Sequence, residues 1–164
     1  MSKPDIISWT QSHLGALYEA REDEMFANAF DTAFSPSCEV RVNHAPSTLD
    51  ALRESVSSRK AATRGVALSW ENVISTGNNP DEPSVVAGTL IITRSMMFRI
   101  RAAPAQRLTH INFSAKVERL EDSNVQAVEN DDRHRITSLY LTSVDTVPPI
   151  HSATPHPVSQ EEQK

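Results

Sequence analysis

Of the six histidines, four fall where a folded domain could use them: His13, His44, His110 and His134. Imidazole is the side chain best suited to exchange protons near neutrality. His110 opens an alternating stretch in which His110, Asn112, Ser114, Lys116 and Glu118 oppose Ile111, Phe113, Ala115 and Val117. If the polar register faced a cavity, His110 and Asn112 would form a pair capable of proton transfer. The favoured expectation is plainer: both face solvent or a second subunit. Arg94 stands among the apolar residues of Val85–Ile100. A β-bulge near Thr93–Ser95 would turn it outward, which is the favoured expectation; otherwise a ligand carboxylate or Glu71 would hold it inside. Phe26, Phe30, Trp70 and Met96 read as core, and the same residues would line a cavity if one were open. Cys38 reads as a structural thiol, because no His–Cys cluster accompanies it to make a metal site. Neither metal nor cofactor is expected.

These residues need elements to carry them, and the apolar spacing supplies an order. Ile6, Trp9 and Leu17, with Leu14 and Tyr18 beside them, recur at helical spacing from about Asp5 to Ala20. A second helix follows the acidic Glu22, Asp23 and Glu24 and stacks Met25, Phe26, Ala29, Phe30, Ala33 and Phe34 on one face. Ser35-Pro36-Ser37 should stop it, since a residue before proline is pushed out of the helical region. Glu39–Asn43 alternates with period two and is short, so an edge strand is expected there. Ser47 can cap a third helix over Ser47–Arg64, with Asp50 at the reciprocal position. Four longer strand patterns follow, up to Val147. In the first, Val66, Leu68, Trp70 and Ile74 share one register. In the last, from Arg135, the pattern is ambiguous: Ile136, Tyr140 and Val144 oppose Leu139 and Leu141. Residues 148–164 are prolines, serines and polar groups that cannot build a core, and are expected to be a disordered tail.

Bulk properties exclude several classes. The chain has 164 residues, 38% of them hydrophobic, enough for one sizeable core and therefore one domain over residues 1–147. A net charge of −5 argues against a sequence-independent grip on nucleic acid, which needs clustered Lys and Arg. The most apolar run, Val85–Ile100, is shorter than the roughly 18 residues of a spanning helix, so no membrane partner is expected. A single cysteine and an N-terminus without a signal-peptide pattern favour a cytoplasmic setting.

The order helix, helix, strand, helix, then four strands resembles the nuclear transport factor 2-like (SnoaL-like) superfamily. The strongest local likeness runs from Leu14-Gly-Ala-Leu-Tyr-Glu-Ala through Ala33-Phe-Ser-Pro-Ser-Cys-Glu-Val. The resemblance implies an α+β cone, in which a bent antiparallel or mixed sheet wraps around three N-terminal helices and encloses a cavity. It also brings enzymes to compare. Scytalone-type dehydratases use a His–Asp pair with tyrosines, and no such pair can be placed here on facing positions. Ketosteroid isomerases need a carboxylate base with a donor pair; Tyr18 and Tyr140 could donate, but the strands over Val85–Ile100 and His110–Glu118 hold no Asp. Limonene-type epoxide hydrolases need Asp-Arg-Asp, and Arg94 lacks the flanking carboxylates. Polyketide cyclases lean on one acid, a requirement Asp145 would meet.

Two functional expectations follow. One is a small apolar-molecule pocket protein, as a cofactor-independent dehydratase, isomerase or cyclase, with His110, Tyr140 and Asp145 as the proton-transfer candidates and Phe26, Phe30, Trp70, Arg94 and Met96 around the ligand. The other is a non-catalytic module that homodimerises through its sheet, where Ile91 and Met97 remain on the face away from the helices. A cone filled by Phe and Met would favour the module; an open cone with a polar floor would favour the pocket.

Overall fold

A computed structural model describes residues 5–61, 63–77, 79, 81–100, 103–121 and 132–146. Helix α1 spans Ile6–Glu19 and α2 spans Asp23–Ala33. Strand β1 (Phe34–Val42) follows directly, then the short β2 (Ala45–Ser47) and helix α3 (Leu49–Ala61). Four long strands complete the described chain: β3 (Thr63–Ser75), β4 (Ser84–Ile100), β5 (Ala103–Arg119) and β6 (His134–Thr146). They form one mixed sheet in the order β2-β1-β6-β5-β4-β3, antiparallel except where β1 runs parallel to β6. The architecture is the expected α+β arrangement, with α1 packed on β3 and β4, α2 on β1 and β6, and α3 on β1 and β3. The expected tail at 148–164 lies outside the described residues. Among those described, no helix is long and apolar enough to cross a membrane.

Alternation decides which side of each strand meets the helices. On β5, Ile111, Phe113, Ala115 and Val117 are buried while His110 and Asn112 are not, as the period-two pattern requires. On β4, Val86, Leu90 and Ile92 are buried on the same side. Leu14 and Leu17 of α1, Phe26 and Phe30 of α2, and Leu52 and Val56 of α3 close the core from above.

Several boundaries differ from expectation. Helix α2 ends at Ala33, and Phe34 already lies in strand β1, where it pairs with Ile136. The proline sequence therefore sits inside a strand. Strand β1 is not the edge, because the three-residue β2 pairs along its outer side. Helix α3 begins at Leu49, and the hydroxyl that accepts its first free amide, from Ala51 at 3.1 Å, is that of Thr48.

Of the register shifts among the described strands, two decide which side chains turn inward. In β3 the pairing passes from Glu71 opposite Thr89 to Ile74 opposite Ala87, so Asn72 and Val73 together face Gly88. Asn72 takes a left-handed backbone, φ 52°, which asparagine tolerates well. The extra residue sends Val73 toward the core and leaves Ile74 67% exposed, contrary to the uniform alternation expected. In β6 the pairing passes from Ser138 opposite Lys116 to Ile136 opposite Val117. That bulge at Thr137 puts Ile136, Leu139 and Leu141 all inside and resolves the ambiguous pattern.

Candidate ligand site at the mouth of the cone

The inward polar residues gather where α1 and α3 end and β6 finishes. Pairing across Thr93–Leu108, Arg94–Arg107 and Ser95–Gln106 is continuous, so the bulge that would have turned Arg94 outward is absent and the residue keeps the inward register of Leu90 and Ile92. Its 7% exposure is unusual for a guanidinium. Arg94 Nη2 donates to Thr109 Oγ1 at 2.9 Å, and that hydroxyl donates to Asp145 Oδ1 at 2.7 Å. The same carboxylate oxygen lies 3.6 Å from Arg94 Nη2 and 3.4 Å from Arg59 Nη1 on α3. The carboxylate partner of Arg94 is thus Asp145 rather than Glu71, which is exposed on the opposite register.

Charge at this point is unbalanced. Arg107 is the cross-strand neighbour of Arg94, and Lys60 follows Arg59 on α3, its ammonium directed at the carbonyl of Ala20 and 4.2 Å from the centre of the Phe26 ring. Two arginines thus share the Asp145 carboxylate, with Arg107 across the strand from one of them, while Lys60 has Asp23 as its acidic neighbour. Burial, and then Arg59, weaken the hold of Arg94 on its proton, while Asp145 strengthens it; guanidinium stays charged regardless. Burial pushes the phenol of Tyr18 up to about 12, against the pull of Arg59 and Arg94. Such a cluster can hold an anionic group by charge-assisted hydrogen bonds.

The space beside it is small. A void of about 20 Å³ at the mouth is lined by Tyr18, Val56, Arg59, Lys60, Ile92 and Arg94, among others. Deeper in, a void of about 10 Å³ is walled by Leu14, Leu17, Leu90, Phe113 and Leu139, with Tyr18 at one side. That inner space is at the lower limit for a single water and offers it few polar partners. The interior is therefore packed by leucine, valine, isoleucine and phenylalanine, an outcome nearer the filled cone expected of a module than the open one expected of a deep pocket, and the polar groups stand at its rim.

The structure does not assemble His110, Tyr140 and Asp145. His110 lies half-buried between Ile91 and Val144 on the outer register, and Tyr140 is exposed between Ser114 and Arg41 on that same face. Asp145 alone of the three is on the inward register. Among the ligand-lining candidates, Phe26 and Phe30 are core, their rings 5.8 Å apart. Trp70 is half-buried with its ring edge-on to Phe113 at 5.8 Å, and Met96 is half-buried opposite Thr63. Only Arg94 reaches the mouth.

A His–Asp pair does exist, at the far end of α1. Asp132 Oδ1 meets His134 Nδ1 at 2.9 Å and accepts the His134 amide at 3.0 Å, while Oδ2 accepts the Trp9 indole N–H at 2.7 Å. His13 stacks on Trp9 with centroids 4.0 Å apart. Burial works against the Asp132 charge, but hydrogen bonds from the His134 ring, Trp9 and the His134 amide hold the carboxyl well below the usual range. Burial lowers His13. Neither of the two voids reaches this cluster; it clasps α1 to the start of β6. The i, i+4 spacing of Trp9 and His13 was available from the sequence, but nothing local ties either to Asp132. A wider open groove, about 460 Å³, runs between β1 and the start of α3 past Phe30, Cys38, Leu49 and Arg53. The Cys38 thiol beside it is raised to about 12 by burial and by Glu39, which leaves it unreactive.

No protein-family model matches the chain, and no curated protein matches it by sequence. Solved structures match in shape. Kfla4162 from Kribbella flavida is 11% identical, with a TM-score of 0.62 over 85% of this chain and 90% of that one. A candidate scytalone dehydratase from Novosphingobium aromaticivorans is 11% identical, with a TM-score of 0.59 over 87% of each chain. The CaMKII hub of S. rosetta is 9% identical, with a TM-score of 0.56 over 88% of this chain and 99% of that one. Likeness at such identity is one of fold alone: the chain shares the α+β architecture of these structures, three helices packed on one mixed sheet, as the sequence resemblance implied.

Proposed function

We propose that this domain is a small-molecule pocket protein whose ligand is an apolar compound with an acidic head, held at the mouth of the cone by Arg94 and Arg59. The observation that carries this reading is a buried arginine that shares the Asp145 carboxylate with a second arginine. A ligand carboxylate arriving there would meet guanidinium donors already gathered and partly desolvated, and its apolar body would lie against Val56, Val66 and Ile92. Thr109 holds Arg94 in place by the 2.9 Å hydrogen bond. Turnover by general acid–base chemistry would have to draw on Asp145 and Tyr18, since His110 and Tyr140 face the other way.

The test is calorimetric titration with straight-chain carboxylates from butyrate to decanoate, each paired with the alcohol of equal length. The acids should bind at least about 10-fold more tightly than the alcohols, the size of a charge-assisted hydrogen bond, and Arg94→Gln should remove that preference. Equal binding of acid and alcohol, or none, overturns the reading.

A second reading, compatible with the first, rests on a different surface. Ile74, Tyr140 and Val144 are exposed on the outer face of the sheet, with half-buried Ile91 and Leu108 on the rows between. The side chain of Met97 lies outside the described residues. This face suits a homodimer formed sheet to sheet.

A further inference from the structure

The two voids of the cone have linings that overlap at Tyr18 and Val56. On the inner side these face Leu14, Leu17, Leu90 and Phe113; on the outer side they face Arg59, Ile92 and Arg94. From this geometry we infer that Tyr18 is the size-determining wall of the mouth site: its ring closes the mouth toward the small inner void, restricting the site to short acids. The inference rests on the acid-binding reading above and adds which acids fit.

The remaining walls are poor candidates for that role. Leu90, Ile92, Thr109, Ile111 and Phe113 are fixed by the continuous β4–β5 ladder. Val56 is short and stiff at its branched carbon. Tyr18 is the long side chain, in the last turn of α1, next to the helix end at Glu19 and the extended Ala20. It lines the same void as Arg59 and Arg94, where an acid head would lie. An acid bound at Arg94 with an extended chain would run into this ring after a few carbons. With the ring removed, the chain could continue into the volume the ring had filled, against the apolar walls of Leu17, Leu90 and Leu139.

The measurement is the dependence of Kd on chain length, butyrate to decanoate, for the wild type, Tyr18→Phe and Tyr18→Ala. In the wild type and in Tyr18→Phe, affinity should stop improving, or fall, beyond a short acid. In Tyr18→Ala the optimum should move to an acid a few carbons longer, with affinity rising by about fourfold for each methylene that enters the vacated space. Should Tyr18→Ala not fold, Tyr18→Leu, which shortens the same side chain but keeps it apolar, should lengthen the preferred acid in the same direction. A Tyr18→Ala profile that matches the wild type, while the wild type still prefers acids over alcohols, overturns the role of Tyr18 and leaves the acid site standing. Absence of acid binding in every protein overturns both.

Discussion

Arg94 and Phe30 are both buried on the helix-facing side of the sheet, yet they should answer substitution in opposite ways. Phe30 is 4% exposed, with its ring 4.8 Å from Phe34 and under the Arg53 guanidinium. Phe30→Ala should destabilise by about 3–5 kcal/mol, as for other buried aromatics, and a urea unfolding curve would read it. Arg94→Met replaces a partly compensated buried charge with an apolar side chain of similar reach. Asp145 keeps Arg59 and Thr109 as partners, so stability should stay within about 1 kcal/mol of wild type while acid binding is lost. Equally large losses for both would mean that the mouth cluster is structural. Asp132 gives a pH test. Its carboxyl is held below the ordinary value of 3.8, so the fold prefers the charged form; that stabilisation is present above 3.8 and fades as pH falls through and below it. Asp132→Asn should therefore cost about 1–3 kcal/mol at pH 7 and converge on the wild type as the pH is lowered past about 4. A gap that stays constant with pH would count against the clasp.

Element by element, the departures from simple alternation have local causes. The β3 bulge works because Asn72 accepts a left-handed backbone and because Gly88 leaves room across the ladder. A methyl group at Gly88 would stand 2.9 Å from Val73 Cγ2 and 3.0 Å from Val73 Cα. Gly88→Ala should accordingly destabilise by about 1–3 kcal/mol, the range for forcing extra volume into a packed site, and thermal unfolding would show it. Removal of the bulge itself would turn Ile74 inward and Val73 outward, since a slip of one residue exchanges the two faces. The sequence pattern from Val66 to Trp70 already announced the buried register of that strand. It failed at Ile74 because an extra residue changes the parity without changing the composition. The β6 pattern was ambiguous for the same reason, with the parity change at Thr137.

For the whole molecule, the outer sheet face predicts the assembly. The exposed Ile74 and Val144, the latter 57% exposed, stand with Tyr140 on the broad face that none of the described helices covers. At micromolar concentration, sedimentation should give a dimer of the 18.1 kDa chain, and Val144→Glu should shift it to monomer by placing paired carboxylates across a two-fold interface. A monomer in the wild type would sink the prediction. The sequence by itself determined the order of elements except the three-residue β2, the α+β class and the buried register of β5, because helical and strand periodicities are set by residues a few positions apart. It also singled out Arg94, Asp145 and Tyr18, although for separate reasons. Only the tertiary structure decided that they meet, that β1 runs beside β6, and that His110 and Tyr140 are turned away from them. Arg59, Arg94, Thr109 and Asp145 come from α3, β4, β5 and β6, and their contact depends on non-local ladder registers and on the absence of a bulge at Arg94. Pairing across such separations leaves no period in the chain.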